Sequence, residues 1–297
     1  MNVRSRGEKT FEFVVHMVMI FLCLLVVIPF ILLIVGSFTD EAVAVRDGYT
    51  FFPDKFSLDA YSYILKEWKQ IGQAYLVTAI VTVLGVFLSI LVTSTFAFGL
   101  TVRDVPGVKV IQFLSVFTML FNGGLVSTYY CYTNIFHIKN TLAALIVPGL
   151  LMSAFNVILV KNYFATNIPT ELFDAAEIDG ASLFRIYGTI VMPLSTPIIA
   201  TIGLRAALGY WNSWTNSMYY VTDNRLNTIQ YLLEKMSQNI QFLVKNADKL
   251  TIANMIDIPS VTVRMAIAVV AVLPIMCIYP FFQKYFAKGL MVGAVKG

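Results

Sequence analysis

The chain contains no Gly-Lys dipeptide, and so no GxxxxGK[ST] loop to cradle the phosphates of a nucleotide. It cannot bind ATP in the P-loop manner. Charge is scarce: Asp, Glu, Lys and Arg make up 13% of the 297 residues, about half the fraction usual in a soluble protein. The three cysteines, Cys23, Cys131 and Cys277, lie far apart and mostly within apolar runs. They read as small buried hydrophobes rather than a disulfide framework or a metal site. His16 and His137 have no partners at metal-ligand spacing, so a packing or loop role fits them, and no Ser/His/Asp constellation stands out. The net charge of +4 is spread over loops and ends with no basic–aromatic cluster, which gives nucleic acid no footprint.

What the chain has in quantity is apolar sequence, 58% of all residues. Runs of about 20 apolar residues recur, and each is long enough to cross a bilayer core of about 30 Å. These runs predict an all-α polytopic membrane protein, a single transmembrane domain over residues 1–297. Six membrane helices are expected at about 13–36, 71–100, 109–132, 141–164, 193–220 and 261–282. The first run is too long for a signal-peptide core. Pro29 predicts a bend in the first helix, and Pro148-Gly149 a bend in the fourth. Asn122-Gly123-Gly124 predicts a break inside the third. That break suits either a backbone facing a water-filled path or a close helix–helix contact.

The polar connections 38–70 and 221–260 are the two long loops. Six crossings put both termini on one side. The Lys and Arg of the short segments, among them Arg4, Arg6, Lys9, Arg103 and Lys109, favour the cytoplasm for that side. The long loops are then extracytoplasmic. None of the predicted spans carries Asp or Glu. Proton-coupled carriers usually need an intramembrane carboxylate or His, and His16 near a helix end is a poor candidate. Sodium coupling through backbone carbonyls stays open on these grounds.

One segment in the second half carries several acids between two apolar spans. It runs from Pro169 to Pro193, PTELFDAAEIDGASLFRIYGTIVMP. Pro169 suits a first helical position. Leu172, Phe173 and Ala176 fall on one helical face and Glu171, Asp174 and Glu177 largely on another. Gly180 suits a left-handed C-terminal cap. A second apolar turn follows, with Leu183, Phe184, Ile186, Tyr187 and Ile190, and Pro193 marks the expected start of the fifth span. The residues describe a helix–turn–helix on a membrane surface, seated either in a groove of another protein or on lipid headgroups.

Within it, Asp174-Ala175-Ala176, Asp179-Gly180-Ala181 and Met192-Pro193-Leu194 with Pro197 resemble the EAA motif of ABC importer permeases, with Asp174 in place of the usual Glu. The resemblance implies a type I importer permease fold in which residues 169–190 form a cytoplasmic coupling helix seated in a cleft of a separate ATPase. The implied coupling residues are Glu171, Asp174, Ala175, Ala176, Asp179, Gly180, Ala181 and Phe184. ATP and Mg would then reside on the partner ATPase, with no cofactor and no catalysis on this chain.

The fifth predicted helix carries Tyr210-Trp211-Asn212-Ser213-Trp214-Thr215-Asn216 near its outer end. Aromatic faces stack on sugar rings and amides bond their hydroxyls. Tyr210, Trp211, Asn212, Trp214 and Asn216, with Asn122 and Arg205, are the candidate pathway residues. Interfacial aromatic belts have a similar composition. Arg205 lies away from both helix ends. It suits either a pathway that takes sugars with acidic groups or a pairing with backbone carbonyls or a partner's carboxylate.

The Trp211–Trp214 stretch and the tail, Lys288-Gly289-Leu290 with Gly293 to Gly297, resemble the carbohydrate-uptake, maltose-type branch of the same family. That resemblance implies a second permease subunit, forming a heterodimer, two ATP-binding subunits, an extracytoplasmic solute-binding protein and an oligosaccharide substrate in a bacterial cell membrane. Importers of peptides, amino acids or phosphate share the EAA architecture. An ion-driven secondary carrier and a non-transporting scaffold are the readings from other classes.

Overall fold

The computed structural model describes residues 6–66, 68–102, 105–245 and 261–294. Its elements, in chain order, are α1 (Arg6–Ser37), α2 (Glu41–Asp47), α3 (Asp59–Lys66), α4 (Trp68–Gly99) and α5 (Val108–Leu120). Next come α6 (Gly124–Tyr130) with a π-helical turn (Cys131–Ile135), α7 (Leu142–Ile146), α8 (Ala154–Asn167) and α9 (Thr170–Ile178). Then follow α10 (Leu183–Ile186), a second π-helical turn (Tyr187–Val191), α11 (Met192–Leu194), α12 (Thr196–Trp211) and α13 (Thr215–Tyr220). The last two are α14 (Ile229–Lys245) and α15 (Val261–Ala294). The architecture is all-helical. Among the described residues β pairing is limited to an isolated antiparallel bridge between Thr39 and Phe56.

Two helices, Thr10–Ser37 and Trp68–Gly99, are each long and apolar enough to cross a membrane. A third candidate is the pair Leu183–Leu194 and Thr196–Trp211, which bends by 83°. The other apolar segments are shorter because glycine and proline interrupt them. Asn122 turns the chain between α5 and α6 by accepting the Gly124 N–H at 2.8 Å, and Gly124 holds φ +79°. Pro148 and Gly149, the latter at φ +70°, separate α7 from α8. The region expected as one bent helix over 141–164 is therefore two helices, because proline has no N–H to continue the ladder.

Three further expectations are corrected. The helix expected to begin at Pro193 begins at Leu183, runs through Pro193, bends after Leu194 and breaks again between Trp211 and Thr215. The helix expected to end at 282 continues to Ala294 through Pro274 and Pro280. Residues 229–245, expected within a polar loop, form α14, which buries Ile229 and Leu232 one turn apart. Residues 246–260 of that loop lie outside the described residues.

The chain divides into two compact units. Residues 1–69 and 233–273 form the first. There the Glu41 carboxylate accepts the Val261 and Thr262 N–H groups, both at 2.9 Å, and caps the start of α15. Phe38 stacks on Tyr61 with centroids 4.8 Å apart, and Tyr61 OH bonds Ser37 Oγ at 2.8 Å. The apolar side chains of α1 from Phe11 to Ile31 are largely exposed.

Residues 70–232 and 274–297 form the second unit. One of its cores gathers Ala97, Phe98, Val157, Val160, Phe164 and Ile186 around the start of α9–α12. Another gathers Val77, Val81, Leu145, Ile146, Tyr210 and Val221.

Candidate functional site

The segment 169–194 is a two-helix elbow. Pro169, extended at φ −58° and ψ 136°, immediately precedes α9 rather than opening it. At the far end Ala181 N–H donates to Ala176 O at 2.9 Å and Gly180 N–H to Glu177 O at 3.0 Å. With Gly180 at φ +71°, this is the paired hydrogen-bond pattern of a Schellman cap. Ser182 then caps α10 by accepting the Arg185 N–H.

Ala176 is buried in the core and Phe173 packs against it. That buried face leaves Glu171, Asp174, Ala175, Glu177, Asp179 and Gly180 exposed, with Ala181 half-buried. Ile178 is 87% and Phe184 88% exposed, unusual for large apolar side chains. Behind the elbow lies a cavity of about 650 Å³, whose lining includes Lys161, Phe164, Phe173, Asp174, Glu177 and Leu183. Lys161 was not singled out from the sequence. It donates to Gln112 Oε1 at 2.7 Å. A lysine within an apolar run was the available signal, since an intramembrane charge needs a polar neighbour.

The candidate pathway residues separate into two groups. Tyr210, Trp211 and Asn216 face inward, with 1%, 7% and 8% of their surface exposed. Tyr210 OH donates to Ile146 O at 3.0 Å, and Asn216 Nδ2 donates to Leu145 O at 3.2 Å and Pro148 O at 3.0 Å. These carbonyls lie where the break at Pro148-Gly149 leaves them without helical partners. The two side chains therefore supply donors that the interrupted helix lacks. Trp211 meets Tyr75 edge-on at 6.1 Å.

Arg205, Asn212 and Asn122 are exposed and Trp214 is partly so. Asn122 sits apart from the others in sequence, turning the chain ahead of α6. Thr201, Arg205, Leu208 and Asn212 follow a 4-3-4 spacing along α12 and share one face. Arg205 lies over the Phe155 ring, its guanidinium carbon 5.1 Å from the centroid. Phe155 comes from α8 and is 45% exposed. No carboxylate of the described residues pairs with Arg205. At the outer end of the face, Asn212 Nδ2 donates to Leu208 O at 2.9 Å and Gln230 Nε2 donates to Asn212 Oδ1 at 3.3 Å.

Residues 105–292 match the family described as binding-protein-dependent transport system inner membrane component. Among curated proteins, the chain is 38% identical to the polygalacturonan/rhamnogalacturonan transport system permease protein YtcP of Bacillus subtilis, over 98% of this chain and 99% of that one. It is 35% identical to the protein LplC of the same organism, over 91% and 90%. Among solved structures it superposes on a chain of a bacterial ABC transporter involved in the import of the acidic polysaccharide alginate. The TM-score is 0.79 at 27% identity, covering 96% of this chain and 100% of that one. Family match, near full-length relatives and shared fold agree, and the chain belongs to the binding-protein-dependent transport system inner membrane components, the non-catalytic permease subunits of ABC importers.

Proposed function

We propose that this chain is the permease subunit of an ATP-driven importer of oligosaccharides. It forms the translocation pathway with a second, different permease and takes its energy from two copies of a separate ATPase that bind ATP and Mg. An extracytoplasmic solute-binding protein delivers the sugar. The relatives named for polygalacturonan/rhamnogalacturonan transport and for alginate import support a carbohydrate substrate. Six membrane passes fit α1, α4, α5 with α6, α7 with α8, the bent unit α10–α12, and α15, with both termini and the elbow in the cytoplasm.

The observation that carries this reading is the elbow. Its inner face is locked into the core through Ala176, while Phe184 and Ile178 project from it. The helix from Leu183 to Leu194 is about 18 Å long at 1.5 Å per residue, and it leads through an 83° bend into α12. A push on Phe184 is therefore delivered to the helix that carries Arg205. With no P-loop and no acid in α4, α5, α8, α12 or α15, the chain needs work done elsewhere, and the elbow is the part built to receive it.

Replacing Gly180 tests it. Gly180→Pro demands φ near −65° where the backbone holds +71°, and it removes the N–H bonded to Glu177 O. The variant should insert in the membrane at normal levels while ATP-dependent uptake falls at least tenfold. Unimpaired uptake by an inserted Gly180→Pro chain would refute the lever.

A further inference from the structure

The exposed face of α12 holds a feature that an oligosaccharide path does not by itself require. Arg205 is a permanent cation about 14 Å along a helix of otherwise apolar character, counted from Thr196 at 1.5 Å per residue. A charge at that depth is retained where it meets water or a counter-charge. Its one recorded contact among the described residues is with the Phe155 ring. A cation–π contact of this kind is not a hydrogen bond, so it leaves the guanidinium N–H donors unspent. Around it are the polar atoms of Thr201 and Asn212 on the same face, and an aromatic surface, Phe155, that is 45% exposed.

We infer that Arg205 and Phe155 form a subsite for a uronic-acid unit, with the guanidinium edge pairing the sugar carboxylate and Phe155 offering its remaining face to the ring. The two components of a uronate are matched separately. A carboxylate accepts two parallel N–H bonds from a guanidinium fork, a pattern that neither a hydroxyl nor an ester reproduces. The apolar face of a pyranose packs on an aromatic ring. The contact with Phe155 also restricts the Arg205 side chain, so less freedom remains to be lost when the sugar arrives. A passing contact suits transport, since the pair is open to water and a screened ion pair releases its ligand readily. Asn212, two turns further along, is placed to bond hydroxyls of the neighbouring sugar unit.

The inference rests on the importer reading above, and the test separates the two. The complete transporter is expressed in cells lacking other uptake routes. Uptake of labelled trigalacturonate and of its fully methyl-esterified, uncharged form is measured for the native chain, Arg205→Gln and Arg205→Lys. Each variant rate is divided by the native rate for the same sugar, which cancels the preference of the binding protein. Arg205→Gln should lose at least tenfold with trigalacturonate and less than twofold with the ester. Arg205→Lys should recover trigalacturonate uptake to within about threefold of native. Phe155→Ala should weaken uptake of both sugars. Equal loss of both in Arg205→Gln would place the guanidinium against the partner permease and overturn the subsite. If the native chain takes up no ester, the comparison of Gln with Lys on trigalacturonate decides, and equal losses overturn the subsite. ATP-dependent uptake of the ester without trigalacturonate would overturn the subsite and leave the importer standing. Uptake of neither would overturn the subsite, while the importer reading is judged by its own test at Gly180.

Discussion

The ring of Tyr210 lies directly over the backbone of Gly85. A Cβ built at Gly85 would sit 2.5 Å from the ring carbon Cζ, inside any tolerable contact. The hydroxyl of the same ring reaches Ile146 O at 3.0 Å, so Tyr210 ties α4, α7 and α12 together at one point. Gly85→Ala should destabilise the chain by about 1–3 kcal/mol, the usual cost of overpacking a tight core. Tyr210→Phe keeps the packing, loses one buried hydrogen bond and should cost about 1 kcal/mol. Thermal unfolding of the purified protein in detergent checks both, and the double variant Gly85→Ala, Tyr210→Phe should remain as unstable as Gly85→Ala or more so.

How far this was legible in the sequence depended on range. Helices α1 and α4 announce themselves, because 32 residues each of mostly apolar sequence leave no other structure available in a bilayer. The turn chemistry was equally local: Gly180, Pro148-Gly149 and Asn122-Gly123-Gly124 all mark interruptions of helix. The bend after Leu194 was not legible. Pro193 looked like a helix start, yet it continues a helix whose preceding turn is π-helical. The aromatic and amide residues of 210–216 were ambiguous because a transport path and an interfacial aromatic belt use the same groups, and the use found for two of them was neither. Only the position of Ile146 O assigns Tyr210, and only those of Leu145 O and Pro148 O assign Asn216, to bracketing the broken backbone. Phe155 beneath Arg205 could not be read at all, since fifty positions separate them in the chain and no pattern links them.

The contact between Glu41 and the start of α15 joins residues 220 apart in sequence. One carboxylate takes the N–H groups of Val261 and Thr262 and the Thr262 hydroxyl, the last at 2.5 Å. An acid at a helix N-terminus satisfies orphan donors and meets the positive end of the helix dipole. Glu41→Ala should therefore cost about 1–2 kcal/mol. It should also speed hydrogen exchange in the first turn of α15. Glu41→Gln keeps an acceptor and loses the charge, so it should fall between native and alanine. Exchange rates at Val261 and Thr262 that do not respond to either change would remove the cap from consideration.

The connection after α1 is held by Asp40 and Lys55, whose charged atoms are 2.7 Å apart. The hydrogen bond from Lys55 holds the Asp40 carboxyl below the usual carboxylate range, and Asp40 in turn pushes the Lys55 amine up. The two shifts act at opposite ends of the pH scale. A depressed carboxylate gives stability that is present above the unfolded value of about 3.9 and lost as pH falls through the lowered one. A raised amine gives stability that is complete below about 10.4 and lost as pH rises beyond the raised value. The tie is thus intact throughout the neutral range. Limited proteolysis of the 38–57 connection should show opening only in strong acid or strong base. Lys55→Gln should move the acid midpoint up towards 3.9, and an unmoved midpoint would assign the acid opening to another group.

Phe184 and Ile178 present the opposite situation, large apolar groups that contribute almost nothing to the chain's own core at 88% and 87% exposure. Truncating either removes little buried area, so Phe184→Ala and Ile178→Ala should change the stability of the isolated chain by no more than about 0.5 kcal/mol. If the elbow docks on an ATPase, the same truncations remove aromatic or aliphatic anchors from an interface, where losses of about 2 kcal/mol are common for central residues. That corresponds to roughly thirtyfold weaker association, with Phe184 the more severe of the two because it would bury the larger surface. Copurification of the ATPase, and stimulation of its activity by loaded binding protein, should both fall in Phe184→Ala while the melting temperature of the permease stays unchanged. The nearby Thr189, also exposed and on the same helical run, serves as the control. Thr189→Ala should leave association intact. A Phe184→Ala chain that keeps full ATPase association would mean that the exposed ring meets lipid instead, and the elbow would then need another contact to receive its push.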